Sequence, residues 1–300
     1  MTARAAVGGV DPSAGAPVEL TAPAKLTLSL RVTGTRPDGY HLLESEMVTL
    51  DLADTLVVGP GHGLTIFDRM GPVGPGGDGD GPRPGPGGGG GSSPGQWRST
   101  SLPAGPDNLV ARALDAVGRS ARVHLTKRIP PGAGLGGGSA DAAAILRWAG
   151  CSDLALAAGL GADVPFCLTG GRAMVRGIGG ELTPLPFEAR RFTLLLAPFG
   201  VDTGAVYRAW DELAAAGGGE RPGGRANDLE DAALVVEPRL APWRQALGEA
   251  AGVEPRLAGS GSTWFVEGAP EELGLDVGPW LHLGAERALL VPARTTPPLG

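Results

Sequence analysis

From Lys25 the chain alternates: Leu26, Leu28, Leu30 and Val32 are apolar, while Lys25, Thr27, Ser29 and Arg31 are polar. A period of two marks a strand with one buried face. The turn-rich run Thr33-Gly34-Thr35-Arg36-Pro37-Asp38-Gly39 ends it. Further strand-like runs follow at Met47 to Leu52, Asp54 to Val58 and His62 to Phe67. The period then lengthens, and Leu109, Ala113, Leu114 and Val117 share one helical face. Arg122 to Ile129 is again strand-like and is stopped by Pro130-Pro131. A glycine-rich turn over 132–139 leads into a helical run from Ala140 to Trp148. Beyond Arg172, strands expected at Ala173–Val175, Phe192–Ala197, Arg256–Glu267 (after a turn) and Ala288–Val291 are interspersed with helices at Thr203–Ala216, Asn227–Val236 and Trp243–Ala251. The class expected from this order is α+β, in two units meeting between about 165 and 185.

Composition changes this picture in one place. The 300 residues include 52 Gly and 28 Pro, and 19 of the 25 residues from Gly71 to Gly95 are one or the other. That stretch has almost no side chain to bury and is expected to be a disordered insertion. Residues 1–18 read as a flexible leader, and the small, polar stretch from Met1 to Leu20 lacks the apolar block of a signal peptide. No apolar run is long enough to cross a membrane. Cys151 and Cys167 are the only cysteines, too few for a disulfide framework or a zinc site, and fit a reducing cytoplasm. The net charge of −7 argues against general nucleic-acid binding.

The segment from Arg122 to Trp148 carries the clearest chemistry. A strand, a glycine turn and a helix in succession place free helical N–H groups and the positive dipole end at a loop without Cβ atoms, which suits a phosphate. It is not a P-loop, because Gly138-Ser139 lacks the lysine. The Rossmann spacing is met at Gly132, Gly134 and Gly137, but no strand ending in an acidic residue follows about 20 positions on. A purely structural turn is the alternative.

The full run Pro130-Pro131-Gly132-Ala133-Gly134-Leu135-Gly136-Gly137-Gly138-Ser139-Ala140 resembles the ATP-phosphate motif of the GHMP small-molecule kinases. Three other segments strengthen the likeness, which runs from about residue 20 to 295 outside the insertion. They are Ala22-Pro23-Ala24-Lys25-Leu26-Thr27-Leu28 with Arg36-Pro37-Asp38-Gly39-Tyr40-His41, then Gly161-Ala162-Asp163-Val164-Pro165-Phe166, then Leu257-Ala258-Gly259-Ser260-Gly261-Ser262. The Asp-Gly-Tyr-His and Gly-Ala-Asp-Val-Pro pieces point to a branch whose acceptor is a cytidyl diphosphate sugar alcohol of isoprenoid-precursor synthesis.

The resemblance implies a two-domain GHMP kinase fold: a ribosomal protein S5-like N-terminal, ATP-binding domain, here 19–175, and a ferredoxin-like C-terminal domain, here 176–297. It implies ATP with Mg2+, a small-molecule acceptor, no nucleic-acid or membrane partner, and a monomer or homodimer. By the same matching, Asp163 is the catalytic base and Lys25 the catalytic lysine that offsets charge on the transferring phosphoryl. Tyr40, His41 and Tyr207 match the aromatic base pocket, and Ser139 either caps its helix or touches phosphate or Mg2+. Asn227-Asp228 echoes a family pair at a helix start.

The sequence departs from the family at Thr27, where an asparagine is usual and a hydroxyl replaces an amide. The stretch between Trp148 and Gly161 is short. His62, His124 and His282 belong to no constellation. Rival readings are another GHMP kinase acting on homoserine, mevalonate or a sugar, a silent nucleotide-binding member, and an S5-like RNA-binding module.

Overall fold

The computed structural model describes residues 16–68, 105–216, 225–275 and 278–299. The expected insertion at 71–95 and residues 1–15 of the expected leader lie outside them. Val18 is already paired in the first strand.

The first half opens with two long strands, β1 (Val18–Thr35) and β2 (His41–Gly59), joined by the predicted turn and paired antiparallel from Thr35↔His41 to Val18↔Val58. The runs expected as two strands at Met47–Leu52 and Asp54–Val58 are one. Asp54 does not break it, because its carboxylate finds partners inside the fold. Then come β3 (Gly63–Asp68), α1 (Leu109–Ala116), β4 (Arg122–Lys127), α2 (Gly137–Trp148), α3 (Leu154–Leu160), α4 (Val164–Thr169), β5 (Arg172–Gly177) and β6 (Glu181–Pro184). The sheet order is β3-β4-β2-β5-β6, with β1 also on β2. The apolar faces of α1 to α4 cover one face of this sheet around Leu56, Val123, Leu125, Ile145 and Phe166.

The second half consists of β7 (Arg191–Leu196), α5 (Thr203–Ala216), α6 (Glu230–Val236), α7 (Leu240–Ala251), β8 (Arg256–Leu257), β9 (Trp264–Glu267), β10 (Trp280–Leu283) and β11 (Glu286–Arg294). Its antiparallel sheet runs β10-β11-β7-β9-β8. β7 shows the period of two plainly. Leu195 packs with Trp243 and Trp264 under α5 to α7, while Phe192, Leu194 and Leu196 face the first half.

That second face completes a core shared by both halves. Leu26, Leu28, Val48 and Leu50 meet Phe192, Leu194, Phe265 and Leu289 there. The chain changes sheet between Pro184 and Arg191, so position 175/176 falls within β5 and both β5 and β6 belong to the first sheet. The chain end returns to the first half, where Thr295 bridges Leu50 and Pro298 bridges Gly170.

β1 is not the half-exposed strand that its alternation predicts. Every residue from Ala22 to Leu28 is buried, Lys25 and Thr27 included. The second half and the glycine turn cover the face that carries those polar side chains. Register shifts at Pro23/Lys25 and Thr27/Ser29 bracket this pair, the kind of irregularity that re-aims side chains in a sheet.

Candidate functional site

The glycine turn is built by close backbone approaches. At Gly134 (φ +75°) a Cβ would lie 2.0 Å from the Ala258 carbonyl oxygen and 2.9 Å from that of Gly261. The turn is thus pressed against the Gly259-Ser260-Gly261-Ser262 turn, whose Ser262 and Thr263 amides donate to Gly132 O and Ala133 O at 3.0 and 3.1 Å. Gly136 (φ +68°) occupies the N-cap position of α2, with no side chain capping the helix. A Cβ there would meet Lys25 Cγ at 2.8 Å, so the missing side chain makes room for the lysine stem. The lysine's own amide donates to Leu135 O at 3.0 Å. α2 begins three residues earlier than expected, which puts Ser139 inside its first turn and not at the cap.

Lys25 Nζ lies 3.3 Å from Asp163 Oδ2 and donates to Thr27 Oγ1 at 3.1 Å. Lys25 is almost fully buried; the Asp163 side chain keeps 31% of its surface. Asp163 occupies the N-cap position of α4, yet its side chain makes no capping bond and turns to the lysine instead. A Cβ on Gly259 would be 3.4 Å from Lys25 Nζ. Three motifs from distant parts of the chain therefore meet at one ammonium.

They line one cavity of about 550 Å³. Pro130, Pro131, Gly132, Ala133, Gly134, Leu135, Gly136, Gly137, Gly138 and Ser139 all contribute to its wall, as do Lys25, Thr27, Asp163 and Tyr207. Ala140 does not; it is buried in the core under the first sheet, because α2 turns it inward. Burial, with the Asp163 charge adding, pushes the Tyr207 phenol well above its usual range. The same causes raise the Cys167 thiol far above the thiolate range, and this leaves it inert.

The expected aromatic pocket is only partly assembled. His41 stacks on Tyr207 with centroids 4.8 Å apart and planes at 23°. Tyr40 is 64% exposed at the turn before β2, and neither it nor His41 lines the cavity wall. His41 reaches the cavity through Tyr207. His62, His124 and His282 are all exposed, and His124 lies against Phe67.

Two features were missed in the sequence. Lys127, at the end of β4, donates to Asp54 and, at 2.7 Å, to Asp141 on α2. Asp54 also accepts the amides of Arg128 and Ile129, the residues that enter the glycine turn. All three side chains are buried. Burial raises the Asp141 carboxyl to about 7, and Asp54 adds to this against the opposing Lys127 charge. Asp54 and Asp141 together outweigh burial at Lys127 and raise its ammonium. A polar residue on an alternating strand ordinarily reads as exposed, so nothing in the pattern marked Asp54.

The second feature is Asn227. It supports the expected helix start, accepting the Leu229 amide at 2.9 Å, but it also donates to Leu257 O and Gly259 O at 3.0 and 2.6 Å. Its neighbours pair with Leu30 of β1.

Residues 108–171, from the start of α1 past Asp163, match the family described as GHMP kinases N terminal domain. A 4-diphosphocytidyl-2-C-methyl-D-erythritol kinase of Paracoccus denitrificans (strain Pd 1222) is 39% identical over 263 residues, covering 81% of this chain and 84% of its own. The chain belongs to the 4-diphosphocytidyl-2-C-methyl-D-erythritol kinase family.

A relative of the same name in Ruegeria pomeroyi is 37% identical and covers 83% of this chain and 88% of its own. The crystal structure of a 4-(cytidine 5'-diphospho)-2C-methyl-D-erythritol kinase superposes with a TM-score of 0.60 at 31% identity, covering 93% of this chain and all of that one. A mevalonate kinase of L. major superposes with a TM-score of 0.61 at only 10% identity, which speaks for the shared two-domain GHMP kinase fold alone. As a member of the 4-diphosphocytidyl-2-C-methyl-D-erythritol kinase family the chain is an ATP-dependent small-molecule kinase. Among the described residues no helix is long and apolar enough to cross a membrane.

Proposed function

We propose that this chain transfers the γ-phosphoryl group of ATP to the 2-hydroxyl of 4-diphosphocytidyl-2-C-methyl-D-erythritol, with Lys25 and Asp163 as its catalytic pair. The observation that carries the reading is the 3.3 Å approach of Lys25 Nζ to Asp163 Oδ2 on the wall of the cavity that the glycine turn shares. Phosphoryl transfer asks a protein mainly to position reactants and offset charge. The turn and the uncapped start of α2 hold the ATP phosphates. Asp163 takes the proton of the attacking hydroxyl, and Lys25 offsets charge on the phosphoryl as it moves. Thr27 holds the ammonium in place, so its hydroxyl serves the lysine where the family's asparagine would offer an amide.

Among the described residues no group of three His, Cys, Asp or Glu side chains is placed to hold a metal ion. Mg2+ brought with ATP would neutralise part of the phosphate charge, and the Ser139 hydroxyl on the cavity wall would be the oxygen this chain offers it. The stacked His41 and Tyr207 form the side that takes the cytosine ring, and Tyr40 closes over it from the turn. Two unpaired thiols fit a cytoplasmic setting.

The test is incubation with MgATP and the cytidyl acceptor, read by mass for one added phosphoryl group, beside homoserine, mevalonate and sugar acceptors. Phosphorylation of the cytidyl acceptor is expected, and phosphorylation of another acceptor in its place refutes the substrate. Lys25→Ala and Asp163→Ala should each fold and lose about 100-fold or more in kcat. Near-normal kcat in either refutes the pair.

A further inference from the structure

α5 presents Tyr207, Trp210 and Asp211 at spacings i, i+3 and i+4, so all three share one side of the helix. Each meets a different part of the same ring. Tyr207 covers a face of His41; Trp210 meets it edge-on at 5.5 Å and 87°. Asp211 Oδ1 lies 2.7 Å from His41 Nε2. The two partners are 170 residues apart and come from opposite halves of the molecule. No sequence motif singled out Asp211.

A carboxylate can only accept, so Nε2 must carry the hydrogen. In the neutral imidazole Nδ1 is then a bare acceptor. Among the described residues Nδ1 has no hydrogen-bond partner. The ring is thereby held in one tautomer and one flip state, flat against a tyrosine. The His41 side chain is only 10% exposed, but that of Asp211 is 52% exposed, and a pair whose carboxylate stays solvated adds only modestly to folding stability. Its effect should therefore fall on recognition.

We propose that Asp211 is a positioning residue for the acceptor base: it fixes the tautomer and orientation of His41 within the His41–Tyr207 stack, and through them the affinity for the cytidyl group. This rests on the reading of that stack as the base-binding side of the site. Lys25 and Asp163 lie outside the Asp211 contacts, so the chemical step is spared.

The experiment uses the full chain. Steady-state kinetics with MgATP and the cytidyl acceptor are compared for Asp211→Ala, Asp211→Glu and His41→Ala. Calorimetric affinity for cytidine diphosphate keeps the comparison independent of turnover, and nitrogen-15 NMR reports the His41 tautomer. Asp211→Ala should raise the acceptor KM and the cytidine diphosphate Kd about fivefold, equivalent to about 1 kcal/mol at 1.4 kcal/mol per factor of ten. The Nε2–H signature should be lost, and the KM for ATP and the Tm should hold. Asp211→Glu should recover part of the affinity.

An unchanged acceptor KM and Kd in Asp211→Ala, or an equal rise in the KM for ATP, overturns the proposal. If His41→Ala weakens the acceptor and Asp211→Ala does not, only the role of Asp211 fails. If His41→Ala changes nothing, the base-binding reading itself fails.

Discussion

Two glycines four residues apart in the same turn should respond oppositely to alanine. At Gly134 the backbone has φ +75°, and an added Cβ would sit 2.0 Å from the Ala258 carbonyl oxygen. The left-handed conformation alone costs alanine about 1–2 kcal/mol. Relieving the backbone clash adds a cost of the overpacking kind, about 1–3 kcal/mol. The sum is roughly 3 kcal/mol, or about 5 °C in Tm for a chain of this size.

The shift must also carry the 258–261 turn away from Lys25, so the KM for ATP should rise with it. Gly138 sits in the first turn of α2 with no positive φ, and its Cβ would make only an ordinary 3.5 Å contact with Leu109. There alanine removes backbone freedom from the unfolded chain and should stabilise by about 0.5 kcal/mol. Differential scanning calorimetry of both variants, with ATP titrations, is the assay. A Gly134→Ala protein with wild-type Tm and wild-type KM for ATP would refute the packing described for the two turns.

Two further outcomes follow from the buried polar groups. The raised Asp141 carboxyl favours its protonated form in the folded chain, so its contribution to stability is full below about pH 4 and is lost as pH rises through about 7. Asp141→Asn removes this titration; its Tm relative to wild type should therefore climb from pH 5 to pH 8, and a flat or falling difference in thermal melts would contradict it. Asn227→Ala deletes three buried hydrogen bonds, should cost about 3 kcal/mol, and should lower kcat by unseating the Gly259 turn; denaturant unfolding beside steady-state rates checks both.

The parts of this molecule legible in the sequence are those whose physics is local. The glycine turn, the helix at Thr203–Ala216 and the strand β7 are set by neighbouring residues, and the chain forms them close to where the pattern puts them. The approach of Lys25 to Asp163 spans most of the first half; only likeness to a family brought the two together on paper.

Burial was misjudged wherever a second layer arrives from far along the chain. Lys25 and Thr27 read as a solvent face until the second half covers them, and Asp54 reads as an exposed strand residue until Lys127 and two amides partner it. Tyr40 and His41, adjacent in sequence, part company because a turn residue and a strand residue face different neighbours. The helical spacing of Tyr207, Trp210 and Asp211 was a signal within reach, but only a partner in another element gives it meaning.

The uninterrupted length of β2 has a consequence for how such an enzyme can change. His41 stands at its first residue and Asp54 near its last. On the proposed assignment, one rod carries the selector for the acceptor at one tip and, toward the other, the carboxylate that accepts the amides entering the glycine turn. On that assignment, mutation at the His41 tip would explore new acceptors while the hold on the nucleotide stays intact, so drift in preference need not pass through a form that has lost its fuel.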